Sequence, residues 1–336
     1  MSGRDPLAAV LHHGLVARCG IDRPSRILVG FSGGADSTAL MLLMKSLAGR
    51  AGSPVREVCA CHVNHGLRAE SDEEARHAVK VSSMLGVDMY VSRLVVDRDA
   101  GNLSQRAREL RYEAFEKAAS EAGCDYVCTA HHAEDRFETM LQHLCRGGGA
   151  LGVSQPRWSR PLGSMHLVRP LLGTARTDLR SLCLRAELPF VEDPTNGDPG
   201  TARGFLRQEV IPILESRWPG AAQRASAAAD RITAAGIALE GRLADCFGPA
   251  SRRVWPRELF REVDPELSAA AIRRSLLDFA SRANLPLEQN SFANRLCEAA
   301  WYAQSSGVEP RTFEFAAGRL RLIVTARDVA LDIVTD

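Results

Sequence analysis

The residues best suited to chemistry begin with Ser32-Gly33-Gly34-Ala35-Asp36-Ser37. They follow a short apolar run and open a helical pattern. Small residues let a backbone approach a ligand closely. A helix N-terminus adds free N–H groups and the positive end of its dipole, which together favour an anion. Gly33, Gly34 and Ala35 therefore suit a phosphate cradle, and Ser32 and Ser37 add hydroxyls. Asp36 is the unusual member, a carboxylate where phosphate would bind. It makes sense if it holds Mg²⁺ or orients a nucleophile. The plainer reading makes Asp36 a helix cap and the glycines a turn. All six residues together, between a strand and a helix, favour the cradle. There is no G-K-[ST], so this is not a Walker loop.

Other candidates recur at similar places. Cys61-His62-Val63-Asn64-His65-Gly66-Leu67-Arg68 ends a second apolar run. His62 reads there as a packing residue within the strand, whereas Asn64 and His65 sit at its carboxyl end. Ala107-Arg108-Glu109-Leu110-Arg111-Tyr112 places Arg108 and Arg111 on neighbouring faces of a helix. An exposed arginine such as Arg108 is as well explained by a surface ion pair as by a ligand. Ala130-His131-His132-Ala133-Glu134-Asp135-Arg136-Phe137-Glu138-Thr139 puts Asp135 and Glu138 on one helix face. Arg169-Pro170-Leu171-Leu172, Glu192-Asp193-Pro194-Thr195-Asn196 and the arginines at 203 and 207 follow.

Positioning these groups requires a layered α/β frame. Strand patterns at 27–31, 55–63, 88–96 and 125–130 alternate with helical patterns at 36–47, 71–85, 103–122 and 134–146. Repeated βα units predict a parallel sheet, here of five strands, with helices on both faces. Ligands of such sheets sit at the carboxyl ends of the strands. The loops at Ser32, Asn64 and His131 should then share one crevice. Residues 147–163 are rich in glycine, proline and serine and read as an exposed loop. Helices are expected at 174–187, 221–246, 265–283 and 290–303, and short antiparallel strands at 312–314, 320–325 and 329–334. The division predicted is a catalytic domain at 1–216 and, at 217–336, a linker helix with a smaller, mostly helical domain.

Composition narrows the class. A chain of 336 residues with 45% hydrophobic and 25% charged residues is ordinary for a globular protein, against a disordered or collagen-like one. No apolar run approaches the roughly 20 residues that cross a bilayer, and no secretory leader is evident. Nine scattered cysteines without a C-x-x-C pair suggest reduced, buried thiols and a cytoplasmic setting. The net charge of +1 gives no global pull on nucleic acid. Only three lysines occur, so the positive charge is almost all arginine. Arginine suits phosphate, and residues 203–274 are rich in it, although compositional bias and solvated helix faces would account for the same run. Gly147-Gly148-Gly149-Ala150-Leu151-Gly152 spells G-x-G-x-x-G but follows a helix, so a dinucleotide-binding reading fails on context.

The loop at Ser32 resembles the pyrophosphate-binding loop of the N-type ATP pyrophosphatases. With the other motifs, in order over about 27–212, the chain closely resembles the tRNA(Ile)-lysidine synthetase family. The C-terminal third resembles that family's smaller substrate-recognition domain only loosely. The resemblance implies ATP and Mg²⁺ as cofactors, tRNA(Ile) with a CAU anticodon and free L-lysine as partners, and no membrane. It leaves room for a homodimer. ATP would adenylate the C2 oxygen of the wobble cytidine, splayed out of the anticodon loop, and the ε-amine of lysine would then displace AMP. Arginines of the C-terminal domain would grip the tRNA by its shape and phosphates.

The resemblance also implies roles. Ser32, Gly33, Gly34, Ala35, Asp36 and Ser37, with Asn64, His65 and Arg108, would bind the nucleotide. Asp36 and Asp135 would hold metal. Asp36, Arg111, His132, Asp135 and Glu138 would form the catalytic set. His132 would polarise the adenylated group, and Asp135 and Glu138 would bind metal or the lysine ammonium, or take its proton. Arg111 would meet phosphate or the RNA backbone. The chain departs from the family at Glu134 (usually Asp), Arg136 (Gln), Gln155-Pro156 (Gly-Met) and Gly204 (Asn). Another sulfur- or amide-transferring ligase of the superfamily, or a non-catalytic RNA-binding relative, stays open at this point.

Overall fold

Asp5 accepts a hydrogen bond from the Leu7 amide and Pro6 occupies the first turn, a pairing that starts helix α1 (Pro6–His13). The computed structural model describes residues 5–64, 71–94, 103–192, 200–283, 285, 289–307, 309–316 and 318–334. His65 and the Asp193-Pro194-Thr195-Asn196 stretch lie outside the described residues. A π-helical turn, Gly14–Arg18, continues α1. Gly14 is packed so closely there that a Cβ would lie 2.2 Å from the Pro170 carbonyl oxygen.

The βα alternation then runs β1 (Ser25–Gly30), α2 (Ala35–Leu47), β2 (Val55–Asn64), α3 (Ser71–Leu85), β3 (Asp88–Arg93), α4 (Leu103–Glu121), β4 (Tyr126–Cys128) and α5 (Ala133–Cys145). After a short α6 (Ala150–Val153) come β5 (Ser159–Leu162) and β6 (Met165–Val168). The sheet order is β3-β2-β1-β4-β6-β5. Five of the six strands are parallel, and β5 pairs antiparallel with β6 as an edge. Of the five strands expected, the sequence patterns place four; β6 supplies the fifth and β5 adds a sixth. Residues 147–163 are not the plain loop expected but carry α6 and β5. The strand was hidden because Ser159-Arg160-Pro161-Leu162 is largely polar and contains a proline, tolerated only on an edge.

Side chains of β1 alternate between two cores, as strand geometry demands. Ile27 and Val29 pack with Leu11, Leu40, Met44 and Leu179, so α1, α2 and α7 (Arg176–Arg185) cover that face. Leu28 faces the other way with Cys59, Cys61, Phe115 and Val127, under α4. The chain continues through α8 (Ala202–Phe205), a π-helical turn Leu206–Val210, α9 (Ile211–Arg217) and the long α10 (Ala221–Phe247).

Two compact units result: Met1–Leu144 with Gly152–Arg231, and Cys145–Leu151 with Ile232–Asp336. The second holds β7 (Val254–Pro256), α11 (Glu258–Arg261), α12 (Pro265–Arg282), α13 (Gln289–Gln304), β8 (Arg311–Phe315), β9 (Leu320–Val324) and β10 (Asp328–Ile333). Its antiparallel sheet, ordered β7-β10-β9-β8, packs Leu322 and Val329 with Trp255, Phe260, Ile272 and Leu276. Three of these strands were expected, and the three-residue β7 was not.

Several arginines of the 203–274 run are structural. Arg257 is buried and donates to the carbonyls of Tyr302, Ala303, Ser305, Gly307 and Thr325, tying α13 to the sheet. Arg274 donates to the carbonyls of Leu243 and Gly248 at the end of α10. Among the described residues, no helix is long and apolar enough to cross a membrane.

Candidate active site

The strand β1 delivers Ser32 to a tight loop. Gly33 takes φ +85°, a left-handed conformation that favours glycine, and its carbonyl accepts from the Val191 amide at 2.9 Å. Ser37 closes the loop from inside. Its Oγ accepts from the Ser32 amide at 3.2 Å and donates to the Gly34 carbonyl at 3.0 Å, with Ser32 Oγ at 3.1 Å. Gly34 is the N-cap of α2 and offers no side-chain acceptor to the first-turn amides. Those amides and the dipole of α2 make an anion-favouring end. Asp36 stands in the same turn.

Three carboxylates surround His132, which is 2% exposed. Its Nε2 lies 3.6 Å from Asp36 Oδ2 and 3.4 Å from Asp135 Oδ2, and its Nδ1 is 3.0 Å from Glu134 Oε2. Burial by itself would push this imidazole down. The Asp135 charge, then hydrogen bonds donated to Asp36 and Glu134, outweigh burial and raise it to about 10. His132 is therefore an imidazolium at neutral pH. Its neighbour His131 goes the other way. Burial first, then the positive charges of Arg169, Arg203 and Arg108, outweigh Asp135 and lower it to about 3. Two adjacent histidines are thus shifted in opposite directions. Burial works against the Asp135 charge, yet His132, His131, Arg203 and Arg207 hold its carboxyl well below the usual range.

Glu134 does more than hold His132. Its two oxygens accept from the Arg176 amide at 3.2 and 3.0 Å, at the start of α7, where Ala175 supplies no side-chain cap. The Arg176 side chain then reaches Asp36 Oδ2 at 3.8 Å. The residue that departs from the family pattern therefore links His132 to a helix that borders the site.

Glu138 is fully buried. Arg203 Nε donates to one oxygen at 2.7 Å and Arg207 Nε to the other at 2.7 Å, and both arginines also reach Asp135 Oδ1. Glu138 does not line the cavity: it anchors two arginines that do. Gly204 lines it too, with Thr201 capping its amide at 3.0 Å.

These groups enclose one cavity of about 520 Å³ at the carboxyl ends of β1 and β4. Ser32, Gly34, Asp36 and Ser37 line it from the loop, and His131, His132 and Asp135 from the start of α5. Arg108, Arg111 and Tyr112 line it from α4, with Arg176, Arg203 and Arg207 from the following helices. The Ser32 and His131 loops share the crevice as expected. The Asn64 side chain is turned away, donating to the Ser71 carbonyl and to Asp72 at 3.1 Å each, at the start of α3. Instead His62 lines the cavity, with Nδ1 3.1 Å from the Phe31 carbonyl. A carbonyl only accepts, so Nδ1 carries the proton. Burial holds His62 below its usual value, against the pull of the Phe31 carbonyl, so the ring is neutral. Arg176 carried no ligand-like spacing in the sequence and Glu134 stood out only as a departure at a metal-ligand position; the parts both play emerge from the packing of α7.

Among the described residues, no cluster of three or more His, Cys, Asp or Glu is arranged to hold a metal. A hard cation that uses substrate phosphates needs only one or two carboxylates. Asp36 fits that demand: its Oδ1 is buried and has no hydrogen-bond partner.

The PP-loop domain model matches residues 7–214. A curated tRNA(Ile)-lysidine synthase of Pseudomonas syringae pv. tomato is 41% identical over 215 residues, covering 60% of this chain and 47% of that protein. The tRNA(Ile)-lysidine synthase of Pseudomonas aeruginosa is 42% identical over 193 residues, covering 57% of this chain and 42% of that protein. The matched stretch spans about half the length of these relatives. Among solved structures, the U34-tRNA thiolase NcsA from Methanococcus maripaludis superposes with a TM-score of 0.56 at 17% identity, over 67% of this chain and 77% of that one. That likeness shows the fold.

Proposed function

Because the chain belongs to the PP-loop family, we propose that it uses ATP to join free L-lysine to C2 of the wobble cytidine of tRNA(Ile) with a CAU anticodon, forming lysidine. The observation that carries this reading is one cavity holding both an anion cradle and a charged relay of His132, Asp36 and Asp135. About 40% identity to curated lysidine synthases over some three fifths of this chain supports it. Among the described residues the lining of the cavity contains no cysteine, so a sulfur-transferring reading finds no support there.

In the first step the cytidine C2 oxygen attacks the α-phosphorus of ATP and pyrophosphate leaves. The first-turn amides of α2 and the hydroxyls of Ser32 and Ser37 hold the phosphates. Mg²⁺, held by Asp36 and Asp135, would neutralise charge on the phosphate oxygens. In the second step the lysine ε-amine attacks C2, the C2–O bond breaks, and AMP leaves with the oxygen. The imidazolium of His132 offers positive charge close to the departing phosphate. The amine must first shed a proton, which solvent water takes up. Asp135, held ionised by its cationic neighbours, is a weak base at neutral pH and suits binding the ammonium better than deprotonating it. Glu138 serves through Arg203 and Arg207. The reaction needs only groups of one chain, so a homodimer is not required for the site. It would run in the cytoplasm, with the C-terminal unit gripping the tRNA.

The test is incorporation of radiolabelled lysine into a CAU-bearing tRNA(Ile) transcript with ATP and Mg²⁺. A transcript with the wobble base replaced is the control, and Asp36→Asn should abolish labelling while the protein stays folded. Folded, ATP-binding protein that labels neither transcript would sink the reading.

A further inference from the structure

Four arginines crowd one buried tyrosine. Tyr112 is 7% exposed and packs edge-on against Phe115. The guanidinium carbons of Arg160, Arg108 and Arg111 lie 4.6, 5.4 and 5.7 Å from its ring centre. Arg169, itself buried, adds its charge. One cation over a ring is a stabilising arrangement. Three over the same ring repel one another, and the ring does not neutralise them.

The neighbouring carboxylates do not compensate. Glu109 and Glu113 of α4 pair with Arg106 instead. Among the described residues, Arg108 and Arg111 have neither a hydrogen bond nor an ion pair, and Arg160 has only a bond to the Pro161 carbonyl. Burial, then Arg108 and Arg203, weigh against the charge of Arg111, with Tyr112 opposing them. The Tyr112 phenol reports the same field. Burial should push it up, yet Arg108, Arg169 and Arg111 bring it below its usual value. Uncompensated positive charge of this kind, half-buried at Arg111 and Arg160 and exposed at Arg108, is completed by an anion.

The layout selects the kind of anion. Nucleotide phosphates have their own cradle at the start of α2. Arg111 and Arg108 line the cavity, but Arg160, on the edge strand β5, does not. The positive charge therefore runs from inside the cavity outward past its rim. A compact triphosphate does not need such a track, whereas a chain of phosphates entering the cavity with one residue leading does. Tyr112 is 7% exposed, too little ring for a base to stack on, so the contact is with the backbone and is blind to sequence.

We propose that Arg160, with Arg108 and Arg111, forms a subsite for the sugar-phosphate backbone of the RNA strand that carries the target base. This rests on the proposed RNA substrate and adds where its backbone runs. Arg160 is the residue to test, because it touches neither the cavity nor any carboxylate.

The experiment measures binding of the CAU transcript to the full chain and to Arg160→Ala, Arg160→Lys and Arg160→Glu, between 50 and 200 mM salt. ATP affinity and thermal midpoints are recorded alongside. Each lost phosphate contact with single-stranded RNA should take about 0.7 from the log–log salt slope. The affinity advantage of the unaltered chain over Arg160→Ala should therefore shrink roughly 2.6-fold across that range. Arg160→Lys should keep the slope, and Arg160→Glu should bind more weakly than Arg160→Ala. ATP affinity should hold throughout. An unchanged slope and affinity in Arg160→Ala overturns the subsite alone. Weakened ATP binding with intact RNA binding assigns the track to the nucleotide and also overturns it. If the unaltered chain binds no transcript, the proposed function falls with it.

Discussion

Replacing Glu138 with Gln removes one negative charge from a fully buried position. The carboxylate accepts three hydrogen bonds, from Arg203 Nε at 2.7 Å and from Arg207 Nε and Nη2 at 2.7 and 3.0 Å. Hydrogen bonds to charged groups contribute about 1.5–3 kcal/mol each. Breaking one partner of a buried pair typically costs about 3–5 kcal/mol. The Arg203 side chain is 42% exposed, so its share is largely screened and is discounted to below about 1 kcal/mol. Arg207 is 23% exposed and keeps most of its share, about 2 kcal/mol. Glu138→Gln should therefore lose about 3 kcal/mol, which for a unit of this size lowers Tm by roughly 6–12 °C. Glutamine keeps the shape, so the loss reports charge rather than a cavity.

The assay is calorimetry on the full chain, on Glu138→Gln, on Arg207→Gln and on the double variant. Direct partners should show a coupling of about 2 kcal/mol in that cycle, since contacting residues are not additive. At the site, Arg203 and Arg207 lose their anchor while Asp135 remains. Substrate KM should rise more than kcat falls, as expected for a residue acting through others. A Tm change under about 2 °C, or strict additivity with Arg207→Gln, would refute the buried-anchor reasoning.

Three further outcomes follow from local geometry. Gly14→Ala would place a Cβ 2.2 Å from the Pro170 oxygen, so melting should show an overpacking loss of about 1–3 kcal/mol; an unchanged midpoint contradicts the close packing. The His132 imidazole is raised in the folded state from 6.5 to about 10, so its stabilisation is complete below pH 6.5 and lost as pH rises through about 10. The stability gap between the unaltered chain and His132→Asn should narrow from pH 6 to pH 10, about the limits of that window, and a constant gap contradicts the raised value. Arg136→Gln removes the buried partner of Asp230, at 2.7 Å, leaving that carboxylate with Trp158 and the more exposed Arg18. Chemical denaturation should register a loss of about 3 kcal/mol, and Asp230→Asn in the same chain should recover part of it.

Much of the frame was legible because the patterns were long. The helix expected at 71–85 is α3, residue for residue, and the one at 221–246 differs from α10 by a single residue. Continuous apolar runs identified β1 and β2 because parallel strands are buried on both faces. The strands that escaped notice lack that signature: β5 is a polar edge, β6 has four residues and β7 three. The site was legible only as far as local spacing reaches. Asp135 and Glu138 share a helix face, yet one meets the cavity and the other does not. Their difference is set by Arg203 and Arg207, more than 60 residues on, whose guanidinium groups take both Glu138 oxygens.

His62 and Asn64 pose the same problem on a strand. Two residues apart, they share a side, so alternation cannot rank them. The carboxyl-end rule favours Asn64, but the start of α3 captures its amide, while the Phe31 carbonyl holds His62 against the cavity wall. Arg136 makes the point most sharply. As a departure at one position it looks like a change to the site. In the fold it points the other way, into a buried cluster with Ser226 and Asp230 of α10, some 90 residues away. A motif therefore locates the chemistry, but the role of each residue in it depends on a partner the motif does not contain. For this chain those partners come mainly from α7, α8 and α10, and substitutions in α7 and α8, which border the site, should alter turnover as surely as substitutions in the motifs themselves.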